Sequence, residues 1–366
     1  MKKYIHEMPG WPEMEYDESV VNKLLLLFYQ AQGRLFGKLD ALGFDVQNDL
    51  LLSSMADEVI DSSEIEGESL NRSSVRSSVA KRLGLEDAGI TDNTTGYYAE
   101  GVVDMALDAT QHYDQQITDE RLFGWHAALF PTGRSGIRRI TVGAYRSNEM
   151  SIVSGAIGKE KVHYEAPSPE RVSGEMKRFL EWIDEKHEID LYVKAGIAHL
   201  WFESIHPFDD GNGRIGRAIV DLMLARAENS SKRFYSLSSQ FLKERTAYYN
   251  ELEIAQGYSG KTERWLLWFI NCLTRAIESS EEKLEKAKQK AIFFDKIRII
   301  AMNDRQITML NKLIDGFDGK LTTVKWAKIC KCSHDTALRD IDDLINKDVL
   351  KRSAESGRST SYSLLE

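Results

Sequence analysis

Helical spacing of apolar residues breaks off at residue 206 and resumes at 212. The twelve residues that start at the break, HPFDDGNGRIGR (206–217), restrict the fold more than any other stretch. Pro207 ends the helix before it, so the segment must be a loop between two helices, read as 190–205 and 212–228. The loop gathers an imidazole, two carboxylates, an Asn between two glycines, and two arginines. Imidazole suits proton transfer near neutral pH. Glycines let backbone amides approach phosphates, and arginine offers a planar fork for phosphate oxygens. The N–H groups of such a loop, with the positive end of the following helix, aim at an anion. The chemistry is that of a phosphate-handling site with a base.

Most of the remaining chain also reads as helix. Residues 17–43 carry apolar groups at helical spacing and stop at Gly43. A second helix starts near Asp49, is interrupted at Gly67, and is followed by another that ends at Gly84. Two more helices occupy 96–130, and the helical texture returns at 169–186. Between 137 and 165, β-branched and aromatic residues in short runs punctuated by glycines read as a hairpin, with a plain connecting loop as the other reading. A long helix spans 263 to about 300, and its charged middle, SSEEKLEKAKQK, reads as a solvated face. Residues 305–366 then give three short helices and two strands around SGRS, the order of a winged helix-turn-helix.

At 366 residues the chain is long enough for two or three domains. Hydrophobic content of 42% and charged content of 29% describe an ordinary soluble protein. The net charge of −9 argues against a surface that coats nucleic acid throughout. Three cysteines, Cys272, Cys330 and Cys332, form neither a disulfide framework nor a zinc pattern. No signal peptide or membrane span is visible, and a cytoplasmic location is the expectation.

Position for position, HPFDDGNGRIGR resembles the signature of the Fic family, HxFx(D/E)GNGRxxR, and the likeness covers roughly residues 90–275. The resemblance implies an all-α protein: a Fic-type helical domain with a β-hairpin flap, here followed by the small winged helix-turn-helix. It implies transfer of AMP from ATP to a Tyr, Thr or Ser hydroxyl of a target protein, and of the protein itself. His206 would be the general base, and Asp210 would hold Mg²⁺. Gly211, Asn212 and Gly213 would cradle the α and β phosphates, with Arg214 and Arg217 on the β and γ groups. Phe208 would pack inward, while Asp209 would be solvated. The flap, at Ser151, Ile152 and Val153, would register an extended target by backbone pairing. Tyr248, Tyr249 and Gln256 stand where Fic proteins line the nucleobase pocket, although core tyrosines on an amphipathic helix look the same.

SSEIEG (62–67) resembles the (S/T)xxxE(G/N) motif with which Fic proteins restrain themselves. Ser62 and Glu66 share a helical face, so Ser62 can help position the carboxylate. Glu66 would pair with Arg217 and displace the γ-phosphate, and the restraint would act within the chain. YIHEMPGWPEMEYD (4–17) resembles the start of the small helical domain that precedes many bacterial Fic domains. The expected divisions are 1–90, an N-terminal helical segment with the inhibitory helix; 91–275, catalytic; 276–304, a helical linker; and 305–366, the winged helix.

Other readings remain open. His199, Glu203 and His206, spaced by four and three, could face a metal on one helix, with a packed core histidine as the alternative for His199. The same site could remove AMP instead of adding it. The tail has eleven Lys or Arg against nine Asp or Glu, whereas the rest of the chain carries −11. His334, Thr336 and Arg339 could therefore meet DNA, with Lys331, Arg352 and Arg358 on the backbone, or the tail could dock protein. That leaves a nucleotide-sensing transcriptional regulator as a further function. Self-association is the remaining expected partnership, and no membrane contact is expected.

Overall fold

Asp17 sets the first helix by accepting a hydrogen bond from the Ser19 amide at 2.8 Å. α1 (Glu18–Asp40) then buries Val21, Leu25, Phe28, Leu35 and Leu39 on one face. These positions come from a computed structural model, which describes residues 4–85, 97–155, 161–257, 261–314, 316–317, 319–353 and 360–365. α2 (Phe44–Ile65) begins at Phe44, earlier than its apolar spacing indicates. The reason is Gln47, whose amide donates to the carbonyls of Leu39 and Leu42, closing the end of α1 and starting α2 almost without a linker. α3 (Arg72–Arg82) is capped by Asn71, and α5 (Asp119–Leu129) by Thr118, with α4 (Tyr97–Gln111) between them. The expected boundary at residue 90 lies outside the described residues.

The segment 137–165 is only partly a hairpin. β1 (Arg134–Ser135) pairs with β2 (Arg138–Arg139), and β3 (Ser151–Ser154) pairs antiparallel with β4 (Lys161–Glu165). The stretch between the two pairs sends its amides elsewhere: Thr141 to Asp209, Gly143 to His126, and Arg146 to the carbonyl of Pro207. Two of these amides serve the loop at 206–211 and one serves α5 instead of a strand partner, which is why β-like composition yields no ladder there.

Pro169 stands at the first turn of α6 (Pro169–Asp184), where a missing N–H costs nothing. α7 (Leu191–Ile205) is buried on every side from Tyr192 to its end, and α8 (Asn212–Glu228) packs along it. α9 (Leu237–Lys243) and α10 (Arg245–Ala255) follow, and α11 (Thr262–Lys296) runs unbroken through the charged stretch. Trp265, Phe269 and Leu273 of α11 are fully buried.

The chain divides into two compact units, the first ending at Ser280 and the second starting at Glu281. The second unit has its own core of Met309, Leu310, Trp326, Ile341 and Leu344. It contains α12 (Asp304–Ile314), α13 (Thr323–Ile329), α14 (His334–Asn346) and the antiparallel pair β5 (Leu350–Arg352) and β6 (Tyr362–Leu364). The protein is all-α with small hairpins, as its sequence indicates. On α14, His334 and Arg339 are exposed, Asp340 holds Arg305, and Arg352 pairs with Asp342 at 2.6 Å. Arg358 and the SGRS turn lie outside the described residues. No helix among the described residues is long and apolar enough to cross a membrane.

Candidate active site

Two left-handed residues shape the loop. His206 caps α7 with φ 51° and ψ 61°, and Gly211 precedes α8 with φ 84°. Glycine adopts that angle freely; histidine does so only where its surroundings hold it. Asn212 staples the turn, accepting from the Phe208 amide at 2.9 Å and donating to the Phe208 carbonyl at 2.8 Å. Its side chain is thus committed inside the loop, and the Gly211 amide donates to Asp210 Oδ1 at 2.5 Å. Phe208 is fully buried and stacks on His126, with centroids 4.4 Å apart. Asp209 is not simply solvated: one oxygen accepts from the Thr141 amide at 3.0 Å and the other is buried without a partner among the described residues.

The start of α8 is covered by a carboxylate from far away in the sequence. Glu66, the residue that ends α2, accepts from Arg217 Nη2 at 2.8 Å. It lies so close to the first turn that a Cβ placed on Gly213 would stand 2.1 Å from Glu66 Oε1. A negative group at a helix N-terminus is favourable, and Glu66 occupies the place such an end offers to a phosphate. Ser62 acts differently from expectation: its hydroxyl accepts from Arg217 Nε at 2.8 Å and its carbonyl from Nη2 at 2.7 Å. It therefore positions the guanidinium rather than the carboxylate, because α2 presents both residues to one buried arginine. Burial is the strongest influence on Arg217 and opposes its charge, but Glu66, Tyr248 and Tyr249 together hold its proton more tightly than usual. Arg217 Nη1 has no hydrogen-bond partner among the described residues.

His206 and Glu203 face each other, Nδ1 to Oε2, at 3.8 Å. Burial, with Arg146 next, depresses His206 to about 4. Burial, with Glu66 next, raises Glu203 to about 8. Both shifts favour the neutral forms, and a neutral imidazole keeps a lone pair for a proton. His199 is fully buried against the Tyr248 hydroxyl at 2.8 Å.

Several site residues carry no sequence signal of their own. Arg146 is buried and donates to the carbonyls of His206, Asn148 and Pro167 at 2.8, 2.8 and 2.6 Å. His126 accepts from the Gly143 amide through Nδ1, so Nε2 carries the proton that it shares with the Asp210 carbonyl at 3.1 Å. The Ser135 hydroxyl donates to Asp210 Oδ2, and Arg214 Nη1 donates to the Tyr98 hydroxyl. Arg214 also lies over the Phe130 ring, 5.1 Å from its centroid.

Glu66, Glu203, His206 and Gly213 line one cleft with the hairpin residues Ser151 to Ser154, a space of about 650 Å³. Tyr248, Tyr249 and Gln256 line it too, with Tyr248 buried and Tyr249 41% exposed. The sheet of β3 and β4 has two strands, which leaves the outer edge of β3 without a strand partner among the described residues.

Residues 116–224 match the Fic/DOC family, and residues 4–85 match a domain of unknown function (DUF4172). Over 80 residues, the chain is 35% identical to a probable protein adenylyltransferase of Aquifex aeolicus, covering 22% of this chain and 23% of that one. It is 23% identical over 216 residues to the protein adenylyltransferase Fic of Drosophila ananassae, covering 58% and 39%. The chain thus spans well under half the length of either relative. The crystal structure of a Fic family protein from Desulfovibrio desulfuricans superposes with a TM-score of 0.56 at 18% identity, covering 97% of this chain and 98% of that one. That likeness establishes a shared fold.

Proposed function

Because residues 116–224 form a Fic/DOC family domain, we propose that the chain is a protein adenylyltransferase that restrains itself. It moves AMP from ATP to a Tyr, Thr or Ser hydroxyl of a target protein. The observation that carries this reading is Glu66, seated on Gly213 and Arg217 beside a neutral His206.

In the reaction, His206 takes the proton of the target hydroxyl as its oxygen attacks the α-phosphorus, and pyrophosphate leaves. General-base assistance of this kind is worth about 10² to 10⁴ in rate. The amide of Gly213, and that of Gly211 once Asp210 Oδ1 releases it, would face the phosphates, with Arg214 and Arg217 as their cationic partners. Asp210, 40% exposed at the loop, fits a hard cation that keeps most of its water, and it would hold Mg²⁺. That ion would offset phosphate charge. Tyr248 and Tyr249 would flank the base of the nucleotide. The free edge of β3 at Ser151, Ile152 and Val153 would pair with an extended target segment.

Glu66 blocks this by taking the Nη2 of Arg217 that a γ-phosphate needs. A misplaced α-phosphorus can lose about 10²-fold in rate. A second reading, removal of AMP with Glu66 positioning water, is favoured by the presence of Glu66 and His206 in one cleft.

The test is label transfer from α-labelled ATP with Mg²⁺ to a cell lysate, comparing wild type, Glu66→Gly, and Glu66→Gly with His206→Ala. Strong labelling by Glu66→Gly alone is expected. No labelling by any variant ends the transferase reading and turns attention to AMP removal.

A further inference from the structure

The hairpin carries a second constellation of reactive groups. Ser154 Oγ lies 2.6 Å from His163 Nε2, and His163 Nδ1 lies 2.7 Å from Glu253 Oε2. A carboxylate can only accept, so Nδ1 carries the imidazole proton and Nε2 turns its lone pair to the serine hydroxyl. The other oxygen of Glu253 is held by Lys161 Nζ at 3.3 Å, which fixes the carboxylate on both sides. This is the order nucleophile, base and orienting acid found where serine oxygens are activated.

Its placement adds the second observation. Ser154, His163 and Glu253 line the same cleft as His206, Gly213 and Glu66. The tyrosine hydroxyls of that cleft are occupied, Tyr164 donating to the Ser204 carbonyl at 2.7 Å and Tyr248 lying buried on His199, while the Ser151 hydroxyl, which also lines it, has no such base beside it among the described residues. Tyr249 reaches the Ile65 carbonyl at 3.3 Å. Ser154 is exposed and its proton points at a base.

We propose that Ser154 is a self-modification site whose Oγ accepts the AMP group of ATP bound in this cleft. The inference rests on the adenylyltransferase reading above and names an acceptor within it. The Oγ–Pα bond forms as the bond from Pα to the bridging oxygen breaks, pyrophosphate leaves with that oxygen, and the serine proton passes to His163 Nε2. Glu253 stabilises the imidazolium. The product places a bulky phosphodiester at the end of β3, next to the Ser151–Val153 edge, so self-modification and target docking compete for one strand.

The experiment uses full-length Glu66→Gly with ATP and Mg²⁺, reading intact mass, the modified peptide, and lysate labelling in parallel. One AMP adduct on the peptide that contains Ser154 is expected, absent in Ser154→Ala and retained when an exposed serine of α6 far from the cleft is changed, Ser173→Ala. His163→Gln slows its appearance by about 10²-fold. If Glu66→Gly labels the lysate but its own adduct is absent, maps elsewhere or survives Ser154→Ala, the acceptor assignment is overturned and the transferase reading stands. If it labels neither itself nor the lysate, both fall.

Discussion

The loop at 206–217 is gripped at its two ends by buried arginines that work in opposite ways. At the α7 end, Arg146 spends its guanidinium on main-chain carbonyls from His206, Asn148 and Pro167, acceptors that no ligand can replace. At the α8 end, Arg217 is held by Ser62 and by Glu66, and Glu66 is a side chain from another part of the sequence with 30% of its surface exposed. One end is scaffold, and on the proposed reading the other is a stopper. On that reading the difference lets a site be rigid around its base and yet restrained reversibly.

The largest expected effect lies on the scaffold side. Arg146→Met removes a donor from four carbonyls, those of His206, Asn148, Pro167 and Ile205, and frees the left-handed His206. It should destabilise the first unit by about 3–5 kcal/mol, the range for breaking a buried polar cluster. Urea denaturation of the full chain measures this. An unchanged midpoint would erase the distinction between the two ends.

Next comes the neutral pair between the arginines. Glu203 is raised from 4.5 to about 8, so its contribution to stability is whole below pH 4.5 and is lost as pH rises through about 8. His206 is lowered from 6.5 to about 4, so its contribution is present above pH 6.5 and is lost as pH falls through about 4. Between pH 4.5 and 6.5 the two slopes oppose each other, so wild-type unfolding free energy should stay nearly level there and fall from about pH 6.5 to 8 by on the order of 2 kcal/mol, whereas Glu203→Gln should remove that fall and uncover the His206 loss below pH 6.5. A parallel loss in the variant would place the alkaline sensitivity elsewhere.

On the stopper side the effect moves from stability to rate. Glu66→Gly should raise AMP transfer by about 10²-fold. A partly exposed pair contributes little to folding, so the thermal midpoint should shift by no more than about 1 kcal/mol equivalent. A large loss of stability would mean that Glu66 is scaffold as well.

How much of this the sequence discloses depends on where each partner lies. The loop between two helices is legible because Pro207, Gly211 and the flanking periodicity are local. The closeness of Glu66 to Arg217 is implied by a family resemblance that rests on two motifs, each complete in a few residues. Arg146, His126 and Ser135 are invisible because they act on backbone atoms or side chains 60, 84 and 75 residues away. A lone Arg among β-branched residues announces no partner. Residues 137–150 mislead for the same reason, since their composition suits a strand while their amides serve the loop. Asn212 and Ser62 stand in the expected motifs, yet their bonding directions depend on backbone angles that residue types alone do not set.

The smallest effect tests the comparison most finely. Arg214 belongs to the α8 end, and in the free protein the Tyr98 hydroxyl takes its Nη1 while Asp210 lies 3.5 Å from Nη2. Tyr98→Phe keeps the ring, whose centroid is 5.8 Å from the guanidinium carbon, and removes only the acceptor. The loss should be about 1 kcal/mol, typical of one hydrogen bond. If acceptors at this end stand in for phosphate oxygens, bound nucleotide replaces the missing one. In the Glu66→Gly background the deficit should then vanish with saturating ATP and Mg²⁺, because a ligand that binds the variant relatively better returns that difference as stability. Thermal midpoints with and without ATP decide it. A deficit that persists with nucleotide bound makes Tyr98 part of the scaffold and moves the division between the two ends past Arg214, leaving Arg217 alone on the releasable side.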